Sequence, residues 1–140
     1  PIYFTGGSFG DDDYLWMKDY LQLDGMVFKL VPVRNPIPKD GSPLDMGQID
    51  SDKMYDIVMK WDWGNSDLTT IYHDPETRKN SITYRSNMAR LMEQLINEGK
   101  NDKAKNIIDL AMKKMPLEYF DYYSLLNSFA EGYYAAKSAY

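Results

Sequence analysis

Three groups of residues have types and spacings that could carry chemistry. The first is the acidic run Asp11, Asp12 and Asp13. Asp11-x-Asp13 is the kind of pair that holds a divalent cation in transferases acting on sugar nucleotides, because hard cations need clustered carboxylate oxygens. The segment just before it, Gly6-Gly7-Ser8-Phe9-Gly10, invites a phosphate-cradling reading, with backbone N–H groups leading into a helix N-terminus. It lacks the full Gly-x-Gly-x-x-Gly spacing and any following Lys-Ser/Thr, and three carboxylates beside it repel a dianion. Capping of a helix start accounts for the same acidic residues, since carboxylates satisfy free N–H groups and meet the positive end of the helix dipole. No catalytic residue, metal ligand or cofactor is assigned, and the transferase reading through Asp11 and Asp13 with a divalent metal stays as the alternative.

The second group is His73, the sole histidine in a chain without cysteine. Without partners it builds neither a zinc site nor a nucleophile–base pair. The third group is aromatic. Trp16, Trp61 and Trp63 could make a sugar-stacking platform, and Tyr119, Tyr122, Tyr123, Tyr133, Tyr134 and Tyr140 crowd the end of the chain. Such residues more often fill a seam or an interface. Phe129, Tyr133, Tyr134 and Tyr140 are therefore the candidate interaction surface, for a protein or peptide partner or for weak self-association.

The elements that must position these residues fall into two regions. Residues 1–75 hold 6 Lys/Arg against 13 Asp/Glu and six of the seven prolines, whereas residues 76–140 hold 10 against 8. Divided at 1–75 and 76–140, the chain is expected to be mixed α+β, a small α/β piece followed by helices. Ile2-Tyr3-Phe4-Thr5 reads as a strand. Trp16, Tyr20 and Leu23 recur at helical spacing, with Gly25 as a stop. Met26 to Val31 is a second strand, which suggests a strand-helix-strand unit with parallel strands. Residues 34–48 form a Pro- and Gly-rich loop. Asp50 or Ser51 caps a helix with the stripe Met54, Ile57, Val58 and Trp61, ended by Gly64.

Helices are then expected from about Arg78 to Glu98, from Asn101 to about Met115, and from about Phe120 to Ala136, with Gly99 and Pro116 as punctuation. Leu125, Leu126, Phe129 and Tyr133 would be the spine of the last. Met88-x2-Leu91-Met92-x2-Leu95, then Ala104-x3-Ile108 and Pro116, follows tetratricopeptide spacing. Ala104 and Ala111 would let two antiparallel helices approach closely. Phe129-Ala130-x2-Tyr133 looks like the opening of another repeat. A generic three-helix bundle is the plainer alternative.

The net charge is -5 at pH 7, which argues against nucleic-acid binding by phosphate neutralisation. There is no run of about 18 apolar residues, so no direct membrane insertion by this stretch is expected. A chain that opens on Pro1 is expected to be a piece of a longer protein.

Pro1-Ile2-Tyr3-Phe4-Thr5 and the stretch from Tyr20 to Val33 resemble the soluble C-terminal part of a bacterial family of multi-spanning membrane proteins. Met54-Tyr55, the run Lys60-Trp61-Asp62-Trp63-Gly64, and the run from Arg85 to Leu91 add to the resemblance. That family is a domain of unknown function, likened to protein O-mannosyltransferases. The resemblance covers essentially the whole chain. It implies a location after the membrane spans, on the extracytoplasmic (periplasmic) side. It also implies that any transferase chemistry lies in the membrane part, so no catalytic residue carries over. The implied role is a non-catalytic accessory or interaction domain whose partner is a protein, a peptide or the parent's own membrane region.

Overall fold

The structure, a computed structural model, describes residues 1–5, 15–36 and 46–138. It is a mixed α+β fold, a small antiparallel sheet followed by helices. The chain divides into two compact units, Pro1–Ile57 and Val58–Tyr140.

The first unit holds strands β1 (Tyr3–Phe4), β2 (Leu21–Asp24) and β3 (Val27–Leu30), in the order β1-β3-β2. β3 pairs antiparallel with both β1 and β2, with Phe4 opposite Phe28 and Leu23 opposite Phe28 on the other side. The expected parallel strand-helix-strand unit is thereby corrected. Among the described residues Leu15–Tyr20 winds as a 3₁₀ turn, and Leu21–Asp24 is a strand. The physical reason is the Asp24-Gly25 dipeptide. It closes a two-residue hairpin loop between Asp24 and Val27, with Gly25 at φ +73, where a side chain would be strained. A hairpin satisfies the backbone of both strands, and the helical spacing of Trp16, Tyr20 and Leu23 is coincidental. Trp16 is in fact exposed, while Leu23 is buried.

Residues 46–48 return to the outer edge of β2. Leu23 N–H donates to the Gln48 carbonyl at 2.8 Å, and Gln48 N–H donates to Leu21 at 3.0 Å. All four β2 residues are buried. Helix α1 (Ser51–Val58) starts at Asp50, whose carboxylate accepts from the Lys53 N–H. It ends six residues before Gly64, so Trp61 lies beyond it. Among the described residues, Leu21, Leu23, Phe28, Met46 and Met54 are the buried apolar side chains of this unit.

The second unit is built on α2 (Pro75–Asn97), α3 (Asn101–Lys114) and α5 (Leu126–Ser138), each in contact with the other two. The single turn α4 (Leu117–Phe120) and a 3₁₀ turn (Tyr123–Leu125) lie between α3 and α5. Asp74 caps α2, its Oδ1 accepting from the N–H groups of Glu76 and Thr77, and Pro75 occupies the first turn, where no N–H is missed. At the far end, Lys100 N–H reaches the Leu95 carbonyl and Gly99 N–H the Ile96 carbonyl. That crossed pair is a Schellman stop, and it sends α3 back along α2. Met88, Leu91, Met92 and Leu95 of α2 and Ala104, Ile107, Ile108 and Ala111 of α3 are buried, as expected of an antiparallel hairpin.

The last helix starts later than expected, at Leu126. Its buried residues are Phe129, Gly132 and Ala136, while Leu125 and Leu126 are half-buried. A Cβ on Gly132 would lie 2.3 Å from Met92 Sδ, so glycine is what lets α5 come this close to α2.

Candidate functional site

In the first unit the notable polar cluster is buried. Gln22 and Asp24 project from β2, and Gln22 Nε2 donates to Asp24 Oδ1 at 2.6 Å. Lys53 of α1 donates to Asp24 Oδ2 at 2.7 Å. Hydrogen bonding to the Asp24 carboxylate holds the Lys53 ammonium pKa above the ordinary lysine value. Asn35 donates to the Gln48 side chain alongside. The network neutralises a buried carboxylate and ties α1 to the hairpin. Its polar groups are spent on one another, so it reads as a brace for the unit.

In the second unit, Arg85 is the polar residue most deeply placed, at 1% exposure on α2. Its Nη1 donates to the Asp121 carbonyl at 2.6 Å and, more weakly, to that of Tyr122 at 3.5 Å. Its Nη2 donates to the Met115 carbonyl at 2.8 Å. Met115 ends α3, and Asp121 and Tyr122 both sit at positive φ. One guanidinium thus holds the exit of α3 and the strained turn ahead of α5. Burial pulls its pKa below the ordinary arginine value, and Asp121 opposes that shift. Helical periodicity alone gives Arg85 no role. A charged residue in register with the apolar stripe of α2, three before Met88, was the available signal.

Around this frame lie three surfaces. The first follows α5. Tyr134 is 71% exposed and Tyr133 38%, with Ala130 and Ala135 exposed beside them. A groove of about 230 Å³ runs on the α3 side, lined by Asn101, Lys105, Tyr133 and Ala136 among others. One of about 320 Å³ runs on the α2 side, between Met92, Ile96 and Gly132. Phe129 is 2% exposed and belongs to the core, so it is no part of the surface expected of it. Tyr140 lies outside the described residues.

The second surface is aromatic. Trp61, Trp63 and Tyr84 pack together with ring centroids 5.3 to 5.7 Å apart, two of the three contacts edge-to-face. All three are half-buried. Edge-to-face packing with Tyr84 of α2 fastens the connector to the helices and leaves no flat, parallel platform for a sugar ring.

The third is a polar cavity of about 360 Å³ at the start of α2. His73, Arg78, Glu118 and Tyr119 line it, with Thr69, Thr70 and Tyr72 nearby. His73 packs against Phe120, centroids 5.0 Å apart, so the lone histidine is anchored on α4.

Asp11, Asp12, Asp13 and the Gly6–Gly10 segment lie outside the described residues. Among the described residues no cluster of His, Asp and Glu could hold a metal ion. No helix among them is long and apolar enough to cross a membrane.

Comparison with known proteins gives a match to a family model. Residues 1–53 match the sequence model of the family described as TMEM260-associated domain 2. No curated protein and no solved structure matches the chain. The match spans the hairpin, the Gln22–Asp24–Lys53 network and the start of α1, less than half of the chain. The first unit is therefore similar to a domain that accompanies a membrane protein.

Proposed function

We propose that the chain is a non-catalytic accessory domain of a larger, glycosyltransferase-like membrane protein, placed on the extracytoplasmic side and binding polypeptide through the outer face of α5. The family match over residues 1–53 supports the accessory role. The observation that carries the binding face is the pair Tyr133 and Tyr134, exposed on a helix whose other side is fixed against α2 and α3. Tyrosine offers large contact area with few rotatable bonds and a polar tip, which suits an interface that must also face water. In this reading α2 and α3 are one tetratricopeptide-like hairpin, and α5 stands where a following repeat would pack. The segment seated on α5 would come from the parent's own membrane region.

A photo-crosslinking residue at position 134 of the full-length parent tests this. An adduct within the same chain, mapped to the membrane region and absent from a control at the exposed Asp109, is the expected result. An adduct to a second copy would reassign the face to self-association. No adduct above the control would refute it.

A further inference from the structure

The cavity at the start of α2 has a property that the α5 face lacks. Two buried side-chain nitrogens have no hydrogen-bond partner among the described residues, His73 Nε2 and Arg78 Nε. Both residues line this one cavity. Native structures leave few buried polar atoms unpaired, and the exceptions often mark an absent water, ion or ligand. The remaining Arg78 contact does little to occupy it. Nη1 stands 3.5 Å from Asp121 Oδ2, with both side chains partly exposed.

The charge around the cavity decides what class of ligand fits. Arg78 is a fixed cation, so an ammonium group is repelled. Glu118 lines the cavity and Asp121 stands against Arg78, so a carboxylate or phosphate is repelled as well. A neutral group with an acceptor on one side and a donor on the other answers both. Its oxygen would accept from Arg78 and His73, and its N–H would donate to Glu118. Thr69 and Thr70 add hydroxyls that serve either way. The rim supports the same conclusion. Thr69, Thr70, Ile71 and Tyr72 are all exposed, so an extended chain can reach the rim. A trans peptide group has the matching geometry, an acceptor and a donor pointing in opposite directions within one plane.

We propose that this cavity is a second polypeptide-binding site, in which a neutral peptide group is held between Arg78 and His73 on one side and Glu118 on the other. Both orphaned nitrogens are shielded from bulk water, so binding includes a small turn of the guanidinium and imidazole planes toward the ligand. The site shares no lining residue with the α5 face, and it does not depend on that face's role.

Because His73 is the sole histidine, its ring C–H signals are unambiguous in an NMR titration of the 140-residue chain. The probe is N-acetyl-trialanine amide, a neutral blocked peptide, with acetate and maltose as comparison ligands. Saturable shifts of the His73 ring and the Arg78 Nε–H, at millimolar peptide only, are expected. Arg78→Gln should weaken binding by about tenfold, as expected for loss of a hydrogen bond to a charged donor. Glu118→Gln, at an exposed position that leaves the fold intact, should weaken it as well. Tyr134→Glu should leave it unchanged. Tighter binding of acetate or of maltose would overturn the peptide assignment in favour of an anion or a sugar. So would an unchanged affinity in both cavity variants, or loss of binding in Tyr134→Glu. An absence of saturable shifts up to about 50 mM peptide would leave the cavity to water and end the proposal.

Discussion

Replacing Arg85 by methionine isolates the energy of one guanidinium. Methionine keeps most of the apolar stem, so packing along α2 changes little, and the loss reads the polar part. Two short hydrogen bonds disappear, at 2.6 Å to Asp121 and 2.8 Å to Met115. Each bond from a charged donor is worth about 1.5–3 kcal/mol. The two acceptors fare differently once the donor is gone. Asp121 is exposed, so its carbonyl can turn to water, whereas Met115 is buried and its carbonyl stays unpaired. Releasing the desolvated cation returns part of the cost. The net loss comes to about 3 kcal/mol, a large fraction of the 5–15 kcal/mol that holds a typical domain. With a urea slope of about 1 kcal/mol/M for a unit this small, the midpoint falls by about 3 M. Far-UV circular dichroism follows the helices of the second unit and reports this transition. Arg85→Lys should recover about half, since one ammonium cannot span carbonyls that a planar fork reaches together. Arg78→Met, which loses only a long and exposed ion pair, should stay within about 0.5 kcal/mol. A loss below about 1 kcal/mol for Arg85→Met would refute the reasoning, because the buried Met115 carbonyl alone should cost more.

Gly132→Ala gains helix propensity but drives a methyl into Met92 Sδ and Cε, 2.3 and 2.5 Å away, so the melting temperature should fall by the equivalent of about 1–3 kcal/mol. Met92→Ala in the same chain should cancel part of that loss if the close approach is its cause. In the first unit, Lys53 holds its proton more tightly folded than unfolded, because it donates to Asp24. The stability this pair contributes is full at neutral pH and is lost as pH rises past the ordinary lysine pKa of about 10.4 and through the raised one. Alkaline unfolding of the first unit, followed by Trp16 fluorescence in a chain carrying Trp61→Phe and Trp63→Phe, should therefore lose that component in Lys53→Met, which is also weaker at neutral pH because Asp24 loses its cation. Tyr133→Glu with Tyr134→Glu should leave the melting curve within about 0.5 kcal/mol, as exposed substitutions do. The same pair should make the chain monomeric in sedimentation at every concentration, and residual association would move the contact away from α5. Asp11→Asn with Asp13→Asn should leave calorimetric titration with Mn²⁺ and a sugar nucleotide flat, as in the unchanged chain. A metal-dependent heat signal that these substitutions abolish would restore the transferase reading.

Where residues dictate backbone locally, the fold was legible. Gly99 closes α2 and Pro116 follows α3, because a left-handed turn and a ring-fixed φ each act within one or two residues, whereas the helix start expected at about Arg78 lies at Pro75, where Asp74 caps it. The hairpin departs from the expected helix because two local signals compete over the same stretch. Trp16, Tyr20 and Leu23 satisfy a helical period over only two turns, too short to outweigh Asp24-Gly25 flanked by alternating residues. The turn ahead of α5 was invisible for another reason. Asp121 and Tyr122 take positive φ without being glycine, and what holds them there is Arg85, 36 and 37 residues earlier in the chain.

The candidate surface depended on the same kind of distant contact. Phe129, Gly132, Tyr133 and Ala136 all fit one helical face, and size alone favours Tyr133 over Gly132 for the core. The structure reverses that choice, because the space beside α5 is already filled by Met92. Burying glycine at the crossing turns the two tyrosines outward. The close packing of α5 on α2 and the exposure of Tyr133 and Tyr134 are thus one fact of geometry. A side chain at 132 large enough to push α5 outward should disturb the tyrosine face and the core together.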